Sequence, residues 1–448
     1  MNKLQVGFAR LDNTPPLGAP INGYTFVRYS EGVLDPLEIH AVAIGDGTNT
    51  VILIAYDSLG VSKDLLLEWR GRISKRCGVP VDSIYITASH SHTAPAGPRG
   101  DIDDIAKEYF ASMARKIEDA AVYAVEDMRP AKMGYGIGEA KNVAFCRRYK
   151  MKDGSCMTNP GVNNPDIVAP MNEVDTRVSV VRFDREGAES VVIVNFANHP
   201  DVIGGNKISA DWPGAARRFT ERVLDNVRCV VVNGCQGDVN HVNVHPTGGY
   251  GNDLFHDFDD VDRGYNHAQY IGRVITAGVL QTYDKVKYVD VDTVSALVKT
   301  IKIPSNKPKP EELPEARRIN QLHLEGRDSE LPYKGMMLTT VIAEAACKIR
   351  LANAPETFDM DLIALRIGNL AFLGIPGEPF NEIGNQIKRA EGWDMVVPTC
   401  LTNGYQGYFP TFDAYAEGGY EARHSNFKAG VAERIIAGAI ELLKEIKA

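Results

Sequence analysis

The 448-residue sequence contains no apolar run approaching the roughly 18 residues needed to cross a bilayer, so stable membrane insertion is not expected. It has no Lys/Arg-rich run, and 49 basic against 58 acidic side chains give a formal net charge of -9. A nucleic-acid-binding role is therefore excluded from the expected functions. Its seven cysteines, Cys77, Cys146, Cys156, Cys229, Cys235, Cys347 and Cys400, are odd in number and include no CxxC pair. That usage suits reduced thiols rather than a disulfide framework and excludes a four-thiolate zinc site. Residues Met1–Arg10 lack the apolar core and small-residue cleavage site of a secretory signal, so a cytoplasmic location is expected. There is no low-complexity tract and no sequence repeat. What is present, 44% hydrophobic and 24% charged residues, is the composition of a globular chain with a large core.

Apolar, β-branched runs alternate with helical patterns, so the expected fold class is α/β, with mixed β-sheets surrounded by helices. Thr50–Tyr56 reads as a buried strand ending at Asp57. The spacing of Leu66, Trp69 and Ile73 predicts a helix over 63–77, stopped by Gly78 and Pro80, and Ser83–Ala88 is the next strand. Tyr109–Val125 is predicted helical, and Val178–Phe183 with Val191–Phe196 a strand pair turning through Asp184–Gly187. A helix over 215–223, a strand over 229–232 and a helix over 264–283 follow. The polar, Pro-rich Pro304–Pro314 introduces a mostly helical stretch to about Asn353, an insertion or a small cap spanning about 304–355. Met360–Ile367 and Leu370–Leu373 return to strand character, and Lys428–Ile446 is a closing amphipathic helix. The candidate site residues run from position 90 to position 420, so one intertwined domain covering 1–448 is expected.

Four segments carry chemistry. His90 and His92 form an HxH pair directly after a strand. In an extended chain residues i and i+2 face the same side, so both rings can enter one cavity, and imidazole suits zinc. The competing reading is a pair of hydrogen-bonded surface histidines. His199, followed by Pro200 and Asp201, again lies just past an apolar strand; the alternative is a turn histidine capping a carbonyl. Asp211 either caps the helix beginning near Pro213 or orients a ligand histidine. Glu378, between Gly377 and Pro379 after another apolar strand, is a charge that packing does not explain and that wants a cation. Tyr405, Tyr408, Tyr415 and Tyr420 lie among glycines and read either as an aromatic surface loop or as phenols lining a polar pocket. The segment Gly248–Asp262 holds Asp253, His256, Asp257, Asp259, Asp260 and Asp262 and is either a second cation site or a solvated loop. The glycines of Gly134–Gly138 have no helix after them and fail as a dinucleotide fingerprint.

In series these motifs resemble the catalytic domain of the neutral/alkaline ceramidase family, zinc amidases that hydrolyse the N-acyl bond of ceramide. The matching segments are Gly7–Pro16 with Gly23-Tyr24, Ser89–Thr93, Phe196–Pro200, Gly237–Asn240, Pro376–Glu378 and Asn403–Glu421, in the family's order along nearly the whole chain. The resemblance implies that fold, and one zinc ion held by His90, His199, Glu378 and a tyrosine. In the family's pattern that tyrosine falls on Tyr408, with Tyr405 its nearest competitor, and a further tyrosine beside the metal falls on Tyr420. His92 is implied to contact the substrate or lie just outside the ligands.

Two departures follow. The family's serine after Gly-Asp-Val is Asn240 here, which removes a covalent serine mechanism at that point. Its Asn-Arg-Ser-Pro motif is absent; either Arg147 or Arg148 stands in for that arginine, or both are solvated surface charge. Arg147, Arg148, Tyr405 and Asn240 are expected on the substrate side. The sequence stops where the family's enzymes continue into an immunoglobulin-like domain and lacks their signal peptide, so a small-molecule substrate smaller or more polar than ceramide is expected.

The expected chemistry is attack of a metal-activated water on an amide carbonyl. Tyr420 would donate to the oxyanion, and His92, with Asp57 as a second candidate, would handle the proton. The alternatives are an esterase or lactonase using the same site, and a non-catalytic binding protein with a structural metal. No oligomeric state follows from the sequence.

Overall fold

The computed structural model describes residues 4–97, 103–246 and 264–448. The acidic Gly248–Asp262 segment, read above as a possible cation loop, lies outside the described residues.

The large sheet contains Gln5–Asp12 (β1), Glu38–Gly45 (β2), Thr50–Tyr56 (β3), Ile84–Ala88 (β4), Arg129–Glu139 (β5), Arg177–Arg185 (β6), Ser190–Phe196 (β7), Val227–Asn233 (β8) and Lys287–Val289 (β9). Its order is β8-β7-β6-β5-β1-β2-β3-β4, with β9 also paired to β5. A second sheet is formed by Val294–Pro304 (β10), Thr357–Ile367 (β11), Leu370–Gly374 (β12) and Met395–Thr399 (β13), in that order. Along β2 and β3, Val42, Ile44, Val51 and Leu53 face the second sheet, where Ile363, Leu365 and Phe372 meet them. The alternate residues Ala41, Ala43, Ile52 and Ile54 face the helices Lys63–Cys77 (α1) and Asp104–Glu126 (α2). Both faces of these strands are thus apolar, as their near-continuous hydrophobic runs require. The helices Asp211–Val223 (α3) and Tyr265–Tyr283 (α4) cover the other half of the large sheet. Val431–Lys447 (α7) covers the outer face of the second sheet.

One topology occurs three times, although no sequence repeat marks it. In β1-β2-β3-α1-β4-α2 the first two pairings are antiparallel and the third, β3 with β4, is parallel across α1. The same pattern recurs in β5-β6-β7-α3-β8-α4. It recurs again in β10-β11-β12-β13, where Asn381–Ile387 is the crossover helix and α7 closes the unit. Each unit also carries a long insertion between its first and second strands, at 13–37, 140–176 and 305–356. The first strand runs parallel to the third, so these insertions emerge at the end of the sheet where the third strand ends. The third insertion contains the helices Leu313–Leu324 (α5) and Gly335–Leu351 (α6), which share a small apolar core of their own.

The sequence missed β1, β2, β5, β10 and β13. In β5 the glycines at 134, 136 and 138 lie under α4. A Cβ at Gly138 would fall 1.8 Å from the Gly278 carbonyl oxygen, and one at Gly136 would fall 1.9 Å from Thr282 Oγ1. The glycine run therefore serves close helix-on-strand packing.

Candidate metal and active site

Open α/β sheets place ligands beyond the carboxyl ends of their strands, and the threefold topology brings three such ends together. Cys400 N donates to the Asn233 carbonyl (3.1 Å), Ala88 N to Leu401 (3.3 Å) and Asn403 N to Ile86 (2.8 Å). Asn403 also accepts from Ile86 N with its side-chain oxygen. Around this floor, β4 leads to His90 and His92, β7 to His199, β12 to Glu378 and β13 to Tyr405 and Tyr408.

His90 and His92 converge for a different reason from the extended alternation expected. The chain leaves β4 as a loop, and His90 adopts φ 72°, a left-handed conformation uncommon for a non-glycine residue. It is held there by its backbone N–H on the Ser58 carbonyl (2.9 Å) and by Nδ1 on the Leu59 carbonyl (2.7 Å). Strain of this kind concentrates at functional positions. The two rings stand 5.0 Å apart, and the His199 ring lies 5.1 Å from His90 and 5.8 Å from His92.

The tautomers follow from these contacts. A carbonyl oxygen only accepts, so His90 Nδ1 carries the proton, as does His199 Nδ1 against the Gln236 carbonyl at 2.9 Å. In the neutral rings both Nε2 atoms then present lone pairs, at 3.2 Å and 3.1 Å from Glu378 Oε2. Burial, with Arg147 second, lowers the pKa of His199 and keeps it neutral. Burial works against ionisation of Glu378, but the two histidines beside it outweigh that and hold its carboxyl well below the usual range. His199 Nε2 and Glu378 Oε2 have no hydrogen-bond partner, and neither do the two ring nitrogens of His92. The donor atoms of His90, His92 and His199 all lie within 4.8 Å of one another. A buried set of lone pairs around a carboxylate lacks its cation, and these residues fit a single metal ion.

The remaining predicted residues divide into two groups. Tyr405 donates to Glu378 Oε1 (3.0 Å). Tyr408 is registered beside Glu378 in a short parallel pair, and its ring stacks on His199 at 6.4 Å. Tyr420 stands 5.6 Å from Tyr408, ring to ring. Burial, with Glu378 next, raises both phenols above their ordinary value. Arg147 lies over the Tyr408 ring at 5.4 Å.

Arg147 and Arg148 are not solvated surface charge: both are buried around Glu421. Arg147 donates to Glu421 Oε1 (2.6 Å) and to the Gly237 carbonyl (2.7 Å), and Arg148 donates to Glu417 and the Gly418 carbonyl. Asp57 is drawn away, its carboxylate engaged by both terminal nitrogens of Arg217 at 3.0 and 2.6 Å. Asn240 donates to Asn159 and accepts from Val242 N. Asp211 heads α3, accepting from Trp212 N and Ile203 N, and it orients no ligand histidine among those contacts.

Sequence reasoning missed Glu421 as a partner of both arginines and the Leu59 and Gln236 carbonyls as orienters of the histidines. It also gave no role to Tyr24, whose ring lies 5.7 Å from His92. Gly23 beside it has φ +120° and leaves room for that histidine, since a Cβ there would come 2.8 Å from His92 Nδ1.

No protein-family model matches the chain, and no curated protein matches it by sequence. Solved structures do. The neutral ceramidase from Pseudomonas aeruginosa superposes with a TM-score of 0.72 at 18% identity, over 99% of this chain and 75% of that one. A ceramidase complexed with C2 superposes with a TM-score of 0.71 at 17% identity, over 99% of this chain and 76% of that one. The chain therefore has the neutral ceramidase-like α/β fold along its whole length.

Proposed function

We propose that this chain is a zinc-dependent hydrolase that cleaves an amide (N-acyl) bond in a small molecule smaller or more polar than ceramide. One arrangement carries the reading: a fully buried carboxylate faced by imidazole lone pairs, with two phenols beside it. His90, His199, Glu378 and Tyr408 would hold the ion, with His92 as the alternative donor. When bound, such an ion supplies Lewis-acid polarisation and a water acidified to a pKa around 7.

The chain's own groups would do the rest. Burial keeps Tyr420 protonated at neutral pH, so its hydroxyl can donate to a carbonyl oxygen as negative charge develops there. A well-aimed donor of that kind contributes about 3–4 kcal/mol. Burial, with His90 next, pushes the His92 imidazole well below its ordinary range. A neutral ring with unpartnered nitrogens can take a proton and deliver it to the leaving amine. Gly23 and Tyr24 fix the plane in which that ring lies. The two solved structures of this fold are called ceramidases, which favours amide cleavage over other hydrolytic chemistry. No helix among the described residues is long and apolar enough to cross a membrane. The seven free cysteines, six of them buried, support a reducing, cytoplasmic setting.

The test is metal analysis of the purified protein together with matched amide and ester substrates. One zinc per chain and amide hydrolysis abolished by a chelator and restored by zinc are expected. Amide turnover by metal-free protein would overturn the reading. Bound metal without turnover of either substrate would make the metal structural, and an ester rate a hundredfold above the amide rate would reassign the enzyme as an esterase.

A further inference from the structure

The second and third insertions meet over Tyr420. Between them lies a cavity of about 40 Å³, walled by Met157 and Thr158 from one side, Met336, Met337 and Thr340 of α6 from the other, and the flank of Tyr420. Tyr420 belongs to both spaces, because its phenol is close enough to Glu378 to have its ionisation opposed by that carboxylate. An atom bonded to a carbonyl carbon whose oxygen receives the Tyr420 hydroxyl would lie along this flank.

The polar groups around the cavity are already in use. Thr340 donates to the Met336 carbonyl (2.8 Å). Thr158 donates to Glu421 (2.9 Å) and accepts from Tyr420 N (3.2 Å). Arg423, which also borders the space, is tied to Glu344 and to Met337 Sδ. A polar group entering here would leave its hydrogen bonds unmade, whereas an apolar group displaces nothing that is paired. Thioethers supply a soft, adaptable apolar wall. The volume is that of on the order of three or four small heavy atoms.

We infer that this cavity is the acyl subsite and that it takes a short, unbranched apolar acyl group of about two to four carbons. The inference rests on the amide-hydrolase reading and adds which side of the substrate is short, and why. The roof that limits the chain is α6, through Met336 and Met337. A longer acyl chain would have to displace that helix, which Arg423 pins to the Tyr420 turn through Glu344.

The zinc-loaded full chain should be assayed with acetyl, butyryl, octanoyl and palmitoyl amides of one common amine. The expected kcat/KM rises about fourfold per added methylene from acetyl to butyryl, as for burial of each group, and falls at least tenfold at octanoyl. Met337→Ala and Met336→Ala should each move the optimum to a longer chain. A rate that is flat or rising through palmitoyl, or an optimum that neither variant moves, overturns the inference while leaving amide hydrolysis intact. If no amide is hydrolysed, the functional reading fails by itself. The cavity is then judged by calorimetric binding of acetate, butyrate and octanoate, with butyrate expected tightest and octanoate binding at least as tightly counting against it.

Discussion

Two buried clusters of charge and imidazole lie at the strand ends, and they solve burial in opposite ways. In one, Asp57, Glu38, Arg217 and His40 close on themselves. The Arg217 guanidinium meets Asp57 through two hydrogen bonds and Glu38 at 3.5 Å, and His40 meets Glu38 at 3.3 Å. Every negative charge there has a cation supplied by the chain. In the other, His90, His92, His199 and Glu378 assemble acceptors without a counter-charge, and the groups that could have neutralised them, Arg147 and Arg148, are turned onto Glu421. Residue type alone does not separate these clusters, since each contains histidine and carboxylate. What separates them is whether the donors and acceptors cancel.

The sharpest way to break this contrast is to remove a member of the incomplete cluster. His90→Ala and Glu378→Ala should each reduce bound zinc, measured by elemental analysis, from about one per chain to near zero. Hydrolysis should fall at least about a thousandfold, as expected when a metal and its activated water are lost together. Wild-type zinc content in either variant would place the metal elsewhere.

The complete cluster should answer in stability instead. Arg217→Met leaves Asp57 buried beside an apolar chain, and breaking a buried pair in this way costs about 3–5 kcal/mol. Urea denaturation should show that loss while zinc per folded molecule stays unchanged. A variant that folds normally but loses its metal would return Asp57 to the metal site.

A smaller effect of the same network lies in its acid limb. Burial opposes ionisation of Glu38, but its bond to His40 and the charge of Arg217 outweigh it and lower its pKa to about 2. A folded pKa below the ordinary 4.5 contributes stability that is full above pH 4.5 and is lost as pH falls towards 2. The amount is about 2–3 kcal/mol once partial exposure is allowed for. Glu38→Gln should flatten that part of the stability curve, and an unchanged slope between those pH values would show that Glu38 is not so held.

Much of the incomplete cluster was legible in sequence because each ligand follows an apolar strand, and strand ends are where such runs stop. His90, His199 and Glu378 could be found that way, and α1 was legible because Gly78 closes it at φ 68°. The threefold topology was not legible. Its units differ in insertion length and share no repeated residues, so only pairing direction reveals them. The burial of Arg147 was equally hidden, because its partner Glu421 is 274 positions away. The meeting of His90 and His92 depends on one left-handed backbone angle that no side-chain pattern announces.

The smallest effect bears on the assignment that leaned most on resemblance, Tyr408 over Tyr405. Tyr405 donates to Glu378 Oε1, leaving Oε2 to face the two histidines. That is the position of a residue that aims a ligand, and loss of such a partner costs about 10–100-fold in metal affinity or activity. Tyr408 stacks on His199 beneath Arg147, inside the ring of donors. Tyr405→Phe should therefore weaken zinc binding about tenfold in a chelator competition, with kcat changed less than threefold at saturating zinc. Tyr408→Phe should weaken both properties further. If the order is reversed, Tyr405 is the ligand, and the role of Arg147 over Tyr408 is to pack the wall of the site.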